Sequence, residues 1–533
     1  MRTVKRRPFL FALLILLLLG CDFADQVLRS GSTDLSDVDR DNTLFLSGGQ
    51  PRTLDPATTL GGPDGALGHI FTGLTMLDTN LQVQPELAAG WTVSDDGLVY
   101  TFYLRKNAAF HDGRSVNAQD VIFSWERAAD PDTGSDTALT YLGDIEGVAE
   151  KLNGRSDHIS GLQAIDEYTL EVRLTAPVVY FLSKLAYPVT FVVDAENVRQ
   201  SNWEHRPNGT GPFTLETWED DALLILARNE LYYGDLPQLE HVVYDLGANL
   251  PLAQYENGDI DLVGIGGSTL ERARDPNSPF YAQLQTVVGM CTSTIGLNNQ
   301  LPPFDNVRVR QAFNYALDKQ LLIDAFSNGN ALPATGPLPP GMPGFTGDLA
   351  GYPFDPARAR ALLAEAGYAD PSQLPVLTYT TSGYGDVSGY ATAVITLWQE
   401  NLGVRIEPQV IEPFTYYDEL YSGNVGHIYS SGWCADYPDP QNFLDILYHS
   451  ESRQNIGGYV NKEMDALLEQ ARVERDVPAR LAQYADIERR IVADAPVVFV
   501  SYGETAVLVS PALKNYVLTP IGVPQWHRVA VVR

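Results

Sequence analysis

The spacing of apolar residues changes along the chain, and each change marks an element. Leu98, Tyr100, Phe102 and Leu104 recur with a period of two, as one face of a strand does. Residues 170–174 and 222–228 read as strands in the same way, with further strands near 376–381, 404–411 and 497–509. Elsewhere the period lengthens to that of a helix. Val121, Ile122, Trp125, Ala128 and Ala129 form one stripe behind a polar start at Ser115–Asn117, and Val309, Ala312, Phe313, Ala316, Leu317 and Leu321 form another. Asp355 as cap, Pro356 in the first turn and Gly367 as stop bracket a helix that buries Ala359, Leu362, Leu363 and Ala366. Later helices fit Ala391–Leu402, Lys462–Val473 and Pro478–Ala493. Strands and helices alternate irregularly and no unit of 20–50 residues repeats, so the pattern predicts a mixed α/β fold and not a solenoid. The Pro/Gly-rich stretch Leu332–Gly351 is a long ordered loop or a boundary between lobes.

The amino terminus reads as an address. Arg2, Lys5, Arg6 and Arg7 precede an unbroken apolar run from Phe9 to Leu19. A run of roughly 10–14 apolar residues is too short to span a bilayer and fits the core of a secretion signal. It ends in Leu18-Leu19-Gly20-Cys21, which resembles the bacterial lipobox, where cleavage precedes the cysteine and the thiol is acylated. The other readings are an uncleaved anchor or a cysteine that merely lies near a cut site. The expectation is a signal over 1–20, lipidation at Cys21, and a solvated tether over 21–41, rich in Asp, Ser and Gly. The folded body then lies outside the cytoplasm, anchored in the periplasm or on the outer face of the cell membrane.

Composition narrows the function. The 533 residues are 44% hydrophobic and 10% aromatic, a globular balance, and the length calls for more than one compact body. A net charge of −31 repels phosphate backbones, which argues against nucleic acid as a partner. Three cysteines are too few for a disulfide framework and too scattered for a zinc site. Catalytic signatures are mostly missing: there is no phosphate-binding loop, no nucleophile elbow and no paired-histidine spacing. The GTG at 209–211 lacks the third glycine of a dinucleotide site. His111-Asp112-Gly113 could be half of a catalytic pair but reads better as a polar turn. Neither an enzyme nor a bound metal or cofactor is expected.

Five segments carry a resemblance. They are 87–125 (LAAGWTVSDDGLVYTFYLRKNAAFHDGRSVNAQDVIFSW), NGTGPFTLETW at 208–218 with ARNELYY at 227–233, IGLNNQLPPFDNVRVRQAFNYALDKQLLID at 295–324, PATGPLPPG at 333–341 with FDPARARALLAEAGY at 354–368, and SGWCADYPDPQNFL at 431–444. Together and in this order they resemble the family 5 extracellular solute-binding proteins, the peptide-binding components of ABC importers. The resemblance implies a periplasmic-binding-protein-like fold (type II, cluster C), with two lobes around a hinge and an extra domain. It implies one discontinuous lobe over 42–65, 200–290 and 500–533, a smaller inserted lobe over 66–199, and a third region over 291–499. It also implies a monomeric receptor that captures oligopeptides and delivers them to membrane permease subunits. The same scaffold hosts receptors for oligosaccharides and nickel chelates.

The resemblance also implies a site. Asp436 matches the aspartate that pairs with a peptide's α-ammonium group; composition alone would favour a plain turn aspartate in Asp-Tyr-Pro-Asp-Pro, and the surrounding GWCAD puts the ligand role ahead. Gly432 and Cys434 match strand positions whose backbone grips the ligand main chain as an added strand. Trp433 reads as a stacking partner or as a core tryptophan. Thr59 and Leu60, in RTLDPATTL, match the segment on the ligand's other edge. Two departures weaken carboxylate capture at the far end: Ser430 stands where the best-known oligopeptide binders have arginine, and Thr294 where an aromatic is frequent. With Cys21 consumed by lipid, Cys291 and Cys434 remain. Both contexts resemble a bridged pair, so a disulfide is expected between them, with two separate buried thiols as the alternative.

Overall fold

The computed structural model describes residues 39–60, 65–327 and 330–533. The signal, Cys21 and most of the tether lie outside these residues. Among the described residues no helix is long and apolar enough to cross a membrane.

Strand β1 (Thr43–Ser47) opens an eleven-stranded sheet that the chain leaves at once. A hairpin of β2 (Thr75–Leu77) and β3 (Val83–Pro85) comes next. An antiparallel sheet follows, formed by β4 (Ala88–Val93), β5 (Val99–Leu104), β6 (Leu162–Asp166) and β7 (Thr169–Arg173) in the order β4-β5-β7-β6. The chain then re-enters the large sheet with β8 (Phe213–Glu219), β9 (Leu223–Arg228), β10 (His241–Asp245), β11 (Leu262–Gly264) and the long β12 (Leu284–Leu297). The sheet is completed by β13 (Ala331–Pro333), β14 (Leu377–Ser382), β15 (Ile406–Ile411), β16 (Ile428–Cys434) and β17 (Val497–Val509). Its order is β15-β14-β16-β12-β17-β11-β1-β10-β9-β8, with β13 on β17. β17 pairs antiparallel with both β12 and β11, so β12 and β17 carry the sheet from one half to the other. The expected lobe boundaries at 290/291 and 499/500 fall inside these two strands.

Each part has its own core. Tyr100, Phe102 and Leu104 on β5 pack on Val121 and Trp125 of helix Ala118–Ala128. That helix starts where its polar residues say it should. The Asn117 side chain accepts from the Gln119 and Asp120 N–H groups, and the Asp120 carboxylate accepts from the Asn117 N–H. Its Trp125 indole donates to the Thr190 carbonyl at 2.8 Å, so the buried ring leaves no donor unsatisfied. In the third part Phe313, Tyr379 and Trp398 form a second core. The two faces of the β1–β10–β9 portion are covered by separate clusters, around Leu44 and Leu226 on one side and Phe45 and Val243 on the other.

One expected stripe is two helices. Val307–Tyr315 ends, Asp318 caps a new helix by accepting from Leu321 N–H at 3.0 Å, and Lys319–Phe326 follows. The restart changes the helical phase, which leaves Leu321 51% exposed instead of buried. The GTG at 209–211 is a packing device. A Cβ on Gly209 would lie 2.0 Å from the Ile70 carbonyl oxygen, and one on Gly211 2.2 Å from that of His69. His111-Asp112-Gly113 forms a turn, with Gly113 at φ 91° and its N–H donating to Phe110.

The loop over 332–351 is pinned from below by Glu488, on helix Val477–Asp494. Its Oε1 accepts from the Leu338 N–H at 3.1 Å in a site where the side chain is 2% exposed. Burial pushes this carboxyl from 4.5 up to about 7. A folded value above the unfolded one means that the fold favours the protonated acid. Stability is therefore greatest below about pH 4.5 with respect to this group and is lost as pH rises through about 7. Glu488→Gln keeps the acceptor and removes the charge. It is expected to raise the urea midpoint at pH 8, by the equivalent of about 2–3 kcal/mol, and to change little at pH 4.

Candidate ligand-binding site

The site is built on the far edge of β16. Ala435 N–H donates to the Met290 carbonyl at 2.8 Å, which makes this a hydrogen-bonded pair of the β12–β16 ladder. Such pairs alternate along an antiparallel ladder. Trp433 and Ser431 therefore turn their backbone groups toward β12, while Ser430, Gly432 and Cys434 turn theirs away. On that other edge β14 reaches only Ile428 and Tyr429. The Ser430 carbonyl accepts from the Tyr416 hydroxyl at 2.7 Å. Beyond it, among the described residues, no strand pairs with this edge at Gly432 or Cys434, and both are exposed.

Cys434 stands opposite Cys291 in a pair without ladder hydrogen bonds, where the Cα atoms approach to 4.0 Å. A disulfide joins them, closing a loop of 143 residues. It fastens the exposed end of β16 to β12, just before Asp436.

Asp436 is held by a neighbour that sequence reasoning missed. Asn442 is fully buried at the start of helix Gln441–Tyr448. Its Oδ1 accepts from Asp436 N–H at 3.0 Å and from the Trp433 indole at 3.1 Å, and its Nδ2 donates to Asp436 Oδ2 at 3.1 Å. One amide thus fixes the backbone, the carboxylate and the adjacent indole. Trp433 packs half-buried against another core of the third part, around Phe443, Tyr484 and Phe499. Gly432 and Trp433 line a small hollow of about 40 Å³ with Thr292 and Thr294.

A second donor comes from the inserted segment. The Tyr141 hydroxyl donates to Asp436 Oδ2 at 2.5 Å. Burial first, then the Asp436 charge, raise the Tyr141 pKa well above 10, so the phenol remains a donor. Tyr141 stacks on Tyr187 at 3.7 Å between centroids and 2° between planes, and the Tyr187 hydroxyl donates to the Leu60 carbonyl at 3.2 Å. Leu60, residues 66–199 and Asp436 are thereby linked in one continuous path. No motif flagged Tyr141, because it lies 295 residues from its partner.

Thr59 and Leu60 do not form a strand. They leave a turn in which Thr58 and Thr59 N–H groups donate to the Asp55 carbonyl. The Asp55 carboxylate is locked by the Arg127 guanidinium at 2.5 and 2.9 Å. Both residues line a cleft of about 560 Å³ with Leu54, Tyr244, Tyr516 and Trp526. Asp436 borders a third hollow of about 80 Å³, alongside His69, Glu86, Tyr232 and Gln525. The strand residues and Asp436 therefore come together directly, and Thr59 and Leu60 join them through the two stacked tyrosines.

A sheet shared by two halves, an open strand edge and a carboxylate at its end form a site with room for a solute between facing walls. The chain belongs to the bacterial extracellular solute-binding proteins, family 5, whose middle-region model matches residues 82–455. It is 31% identical over 492 residues to the periplasmic oligopeptide-binding protein OppA of Escherichia coli, covering 88% of each chain. It is 28% identical to heme-binding protein A of Haemophilus influenzae, over 97% of each. Among solved structures, the murein tripeptide binding protein MppA of Escherichia coli superposes with a TM-score of 0.81 at 28% identity, covering 93% of this chain and 99% of that one. The unliganded open form of MppA gives 0.69, over 95% of this chain and 99% of that one, so the lobe arrangement here departs from that open form.

Replacing Asn442 by alanine strands the Asp436 N–H and the Trp433 indole inside the protein. Each buried donor left alone costs about 1–3 kcal/mol. Asn442→Ala is expected to lower the denaturation midpoint by an amount in that range or above it, with an altered Trp433 fluorescence. An unchanged midpoint would show that water replaces the amide.

Proposed function

We propose that the protein is an extracytoplasmic receptor that captures oligopeptides between closing lobes and delivers them to the membrane permease of an ABC importer, anchored through an acylated Cys21. The observation that carries the peptide reading is the position of the Asp436 carboxylate at the end of the open edge formed by Gly432 and Cys434. A peptide brings both complements: an α-ammonium group for the carboxylate and a main chain for the edge. Neither depends on side chains, which suits a receptor for many sequences. The names of OppA and MppA, which bind oligopeptides and a murein peptide, support the same reading. A sugar receptor needs stacking aromatics without an ammonium partner, and a receptor for a nickel chelate has no use for an added strand. The acid excess of the whole chain favours approach of a ligand led by its cationic end.

Asp436→Asn keeps the shape and removes the charge, leaving the ligand ammonium in the closed cleft without its partner. Truncating one member of such a pair costs on the order of 2–5 kcal/mol. Calorimetric titration with short peptides is expected to show that loss, and an N-acetylated peptide should bind the native protein as poorly. Equal affinity for free and acetylated peptides would remove Asp436 from the site.

Cys21→Ser is expected to move the protein from the membrane to the soluble fraction of cells. Retention in the membrane fraction would assign the anchor to something other than lipid on Cys21.

A further inference from the structure

The loop that follows β13 is fastened at each residue from Ala334 to Leu338, and the fastening reaches the ligand edge. The Ala334 N–H donates to the Val500 carbonyl of β17 at 3.0 Å, and the Ala334 carbonyl accepts from the Lys319 ammonium at 2.9 Å. The Tyr502 hydroxyl accepts from the Thr335 N–H at 3.2 Å and the Gly336 N–H at 3.0 Å, and donates to the Gly336 carbonyl at 3.0 Å. The Pro337 carbonyl accepts from the Thr292 hydroxyl at 2.8 Å, and the Leu338 N–H ends the series on Glu488. Thr292 is the ladder partner of Trp433, and Pro337 lines the hollow that Thr292, Gly432 and Trp433 share. The seat of Pro337 therefore bears on the open edge itself.

Glu488 holds the last of these points in a place suited to a neutral acid. The charged groups that reach it are Asp348 on the loop, which opposes ionisation, and Arg489 on its own helix, which favours it. Both are exposed, and Arg489 faces Asp486 at 3.8 Å. The phenols of Tyr448 and Tyr502 also face it, and burial raises their pKa values, so they stay neutral. A Cβ on Gly336 would lie 2.8 Å from Glu488 Oε1, so the loop backbone rests on the carboxyl group and keeps water away. A carboxylate here would be a buried charge without a partner. Lys319, at the other end of the segment, has its pKa lowered by burial to about 8, so it keeps its proton below that pH and holds Ala334.

The fold offers a way to relieve that charge. Beyond Leu338 the loop runs out to solvent, where Gly341, Pro343 and residues 346–348 are exposed. A shift of Leu338 off Glu488 admits water to the carboxylate while β13 and Ala334 stay on β17. The same shift draws Pro337 from the Thr292 hydroxyl and widens the hollow beside Gly432 and Trp433.

We propose that Ala334–Leu338 is a proton-linked clasp on the ligand edge: with Glu488 neutral it seats Pro337 on Thr292 and the edge grips its ligand, and with Glu488 ionised Leu338 lifts and the grip weakens. The assignment rests on the reading of that edge as a peptide site. The sign follows from burial, which favours the protonated acid in the seated clasp. Affinity is therefore greatest in mild acid and falls as pH rises through about 7. Coupling of this kind is reciprocal, so a ligand that favours the seated clasp draws a proton from solvent onto Glu488.

Titration calorimetry with trialanine tests this on the native protein, Glu488→Gln and Thr292→Val, at pH 5.5 and 7.5, and at pH 7 in two buffers of different ionisation heat. The native protein should bind at least about twofold more weakly at pH 7.5 than at pH 5.5. At pH 7 it should take up more protons per peptide than Glu488→Gln, in which the ligand ammonium still titrates and Glu488 does not. Glu488→Gln should bind at both pH values nearly as the native protein does at pH 5.5. Thr292→Val keeps the side-chain shape and removes the bond to Pro337, so its affinity should lose the pH dependence while its stability still declines through pH 7. Equal pH dependence and equal proton uptake in the native protein and Glu488→Gln overturn the clasp and leave the peptide reading standing. A dependence that Thr292→Val does not alter overturns the route through Pro337. Failure of the native protein to bind trialanine or longer alanine peptides at either pH overturns the peptide reading, and this assignment with it.

Discussion

The register of β16 on β12 is the constraint on which the rest of the site depends. Once Ala435 pairs with Met290, the alternation of an antiparallel ladder decides which residues face outward. It places Cys434 opposite Cys291 at the close spacing a disulfide uses, and it aims the backbone of Gly432 and Cys434 away from the sheet. A slip by one residue would turn Trp433 and Ser431 outward instead and would separate the cysteines. β12 is itself held on its other edge by β17, with shifts of register between Val288 and Thr292 and between Ser293 and Thr294. The site thus hangs on a strand clamped from both sides, and its position owes little to the loops around it.

The contacts between the inserted residues and the third part have a physical content of their own. Leu81, at the tip of the β2–β3 hairpin, adopts φ 61° and buries its side chain in the third part's core beside Met290 and Ala435. A leucine held in the left-handed region costs about a kcal/mol or more, which the apolar burial offsets only while the two parts are together. Nearby, Tyr180 stacks on Tyr437 at 6.2 Å, and Arg453 meets Asp136 at 2.5 Å. These contacts join residues 66–199 to the third part around Asp436. A ligand that enters the cleft therefore meets two parts that already touch around Asp436.

The sequence made the elements legible where periodicity and punctuation agreed. Helix Lys462–Val473 and strand Val497–Val509 have the bounds that the pattern predicts, and the cap at Asp355 with Pro356 starts a helix at Pro356. Periodicity failed at 309–321, because Asp318 can cap a new helix while the apolar spacing continues across the break. In the site, the segment around Asp436 was readable because its residues are consecutive. Tyr141, Tyr187 and Asn442 were not singled out. Tyr141 and Tyr187 act through contacts that cross between parts of the fold, and Asn442 acts by a hydrogen-bonding geometry that composition does not encode. Thr59 and Leu60, expected on the ligand's other edge, lie in a turn held by Asp55 and Arg127 and not in a strand.

This division explains how one scaffold serves receptors with different ligands. The groups that fix Asp436 and the open edge are buried or bonded: Asn442, the disulfide, and Tyr141 on its stacked partner. They are set before a ligand arrives, so little ordering is left to oppose binding. Arg52, which lines the cleft beside Thr59 and Leu60, and its partner Asp418 are half exposed and weakly paired. Substitution there should disturb the core little, since exposed positions seldom carry more than about half a kcal/mol of stability. Ser430 illustrates it: a small neutral residue occupies an inward-facing position beside Tyr379 and Tyr416, and the strand keeps its register. On the proposed function, recognition of a main chain belongs to the rigid end of the cleft, and the exposed end is the one that the fold can afford to vary.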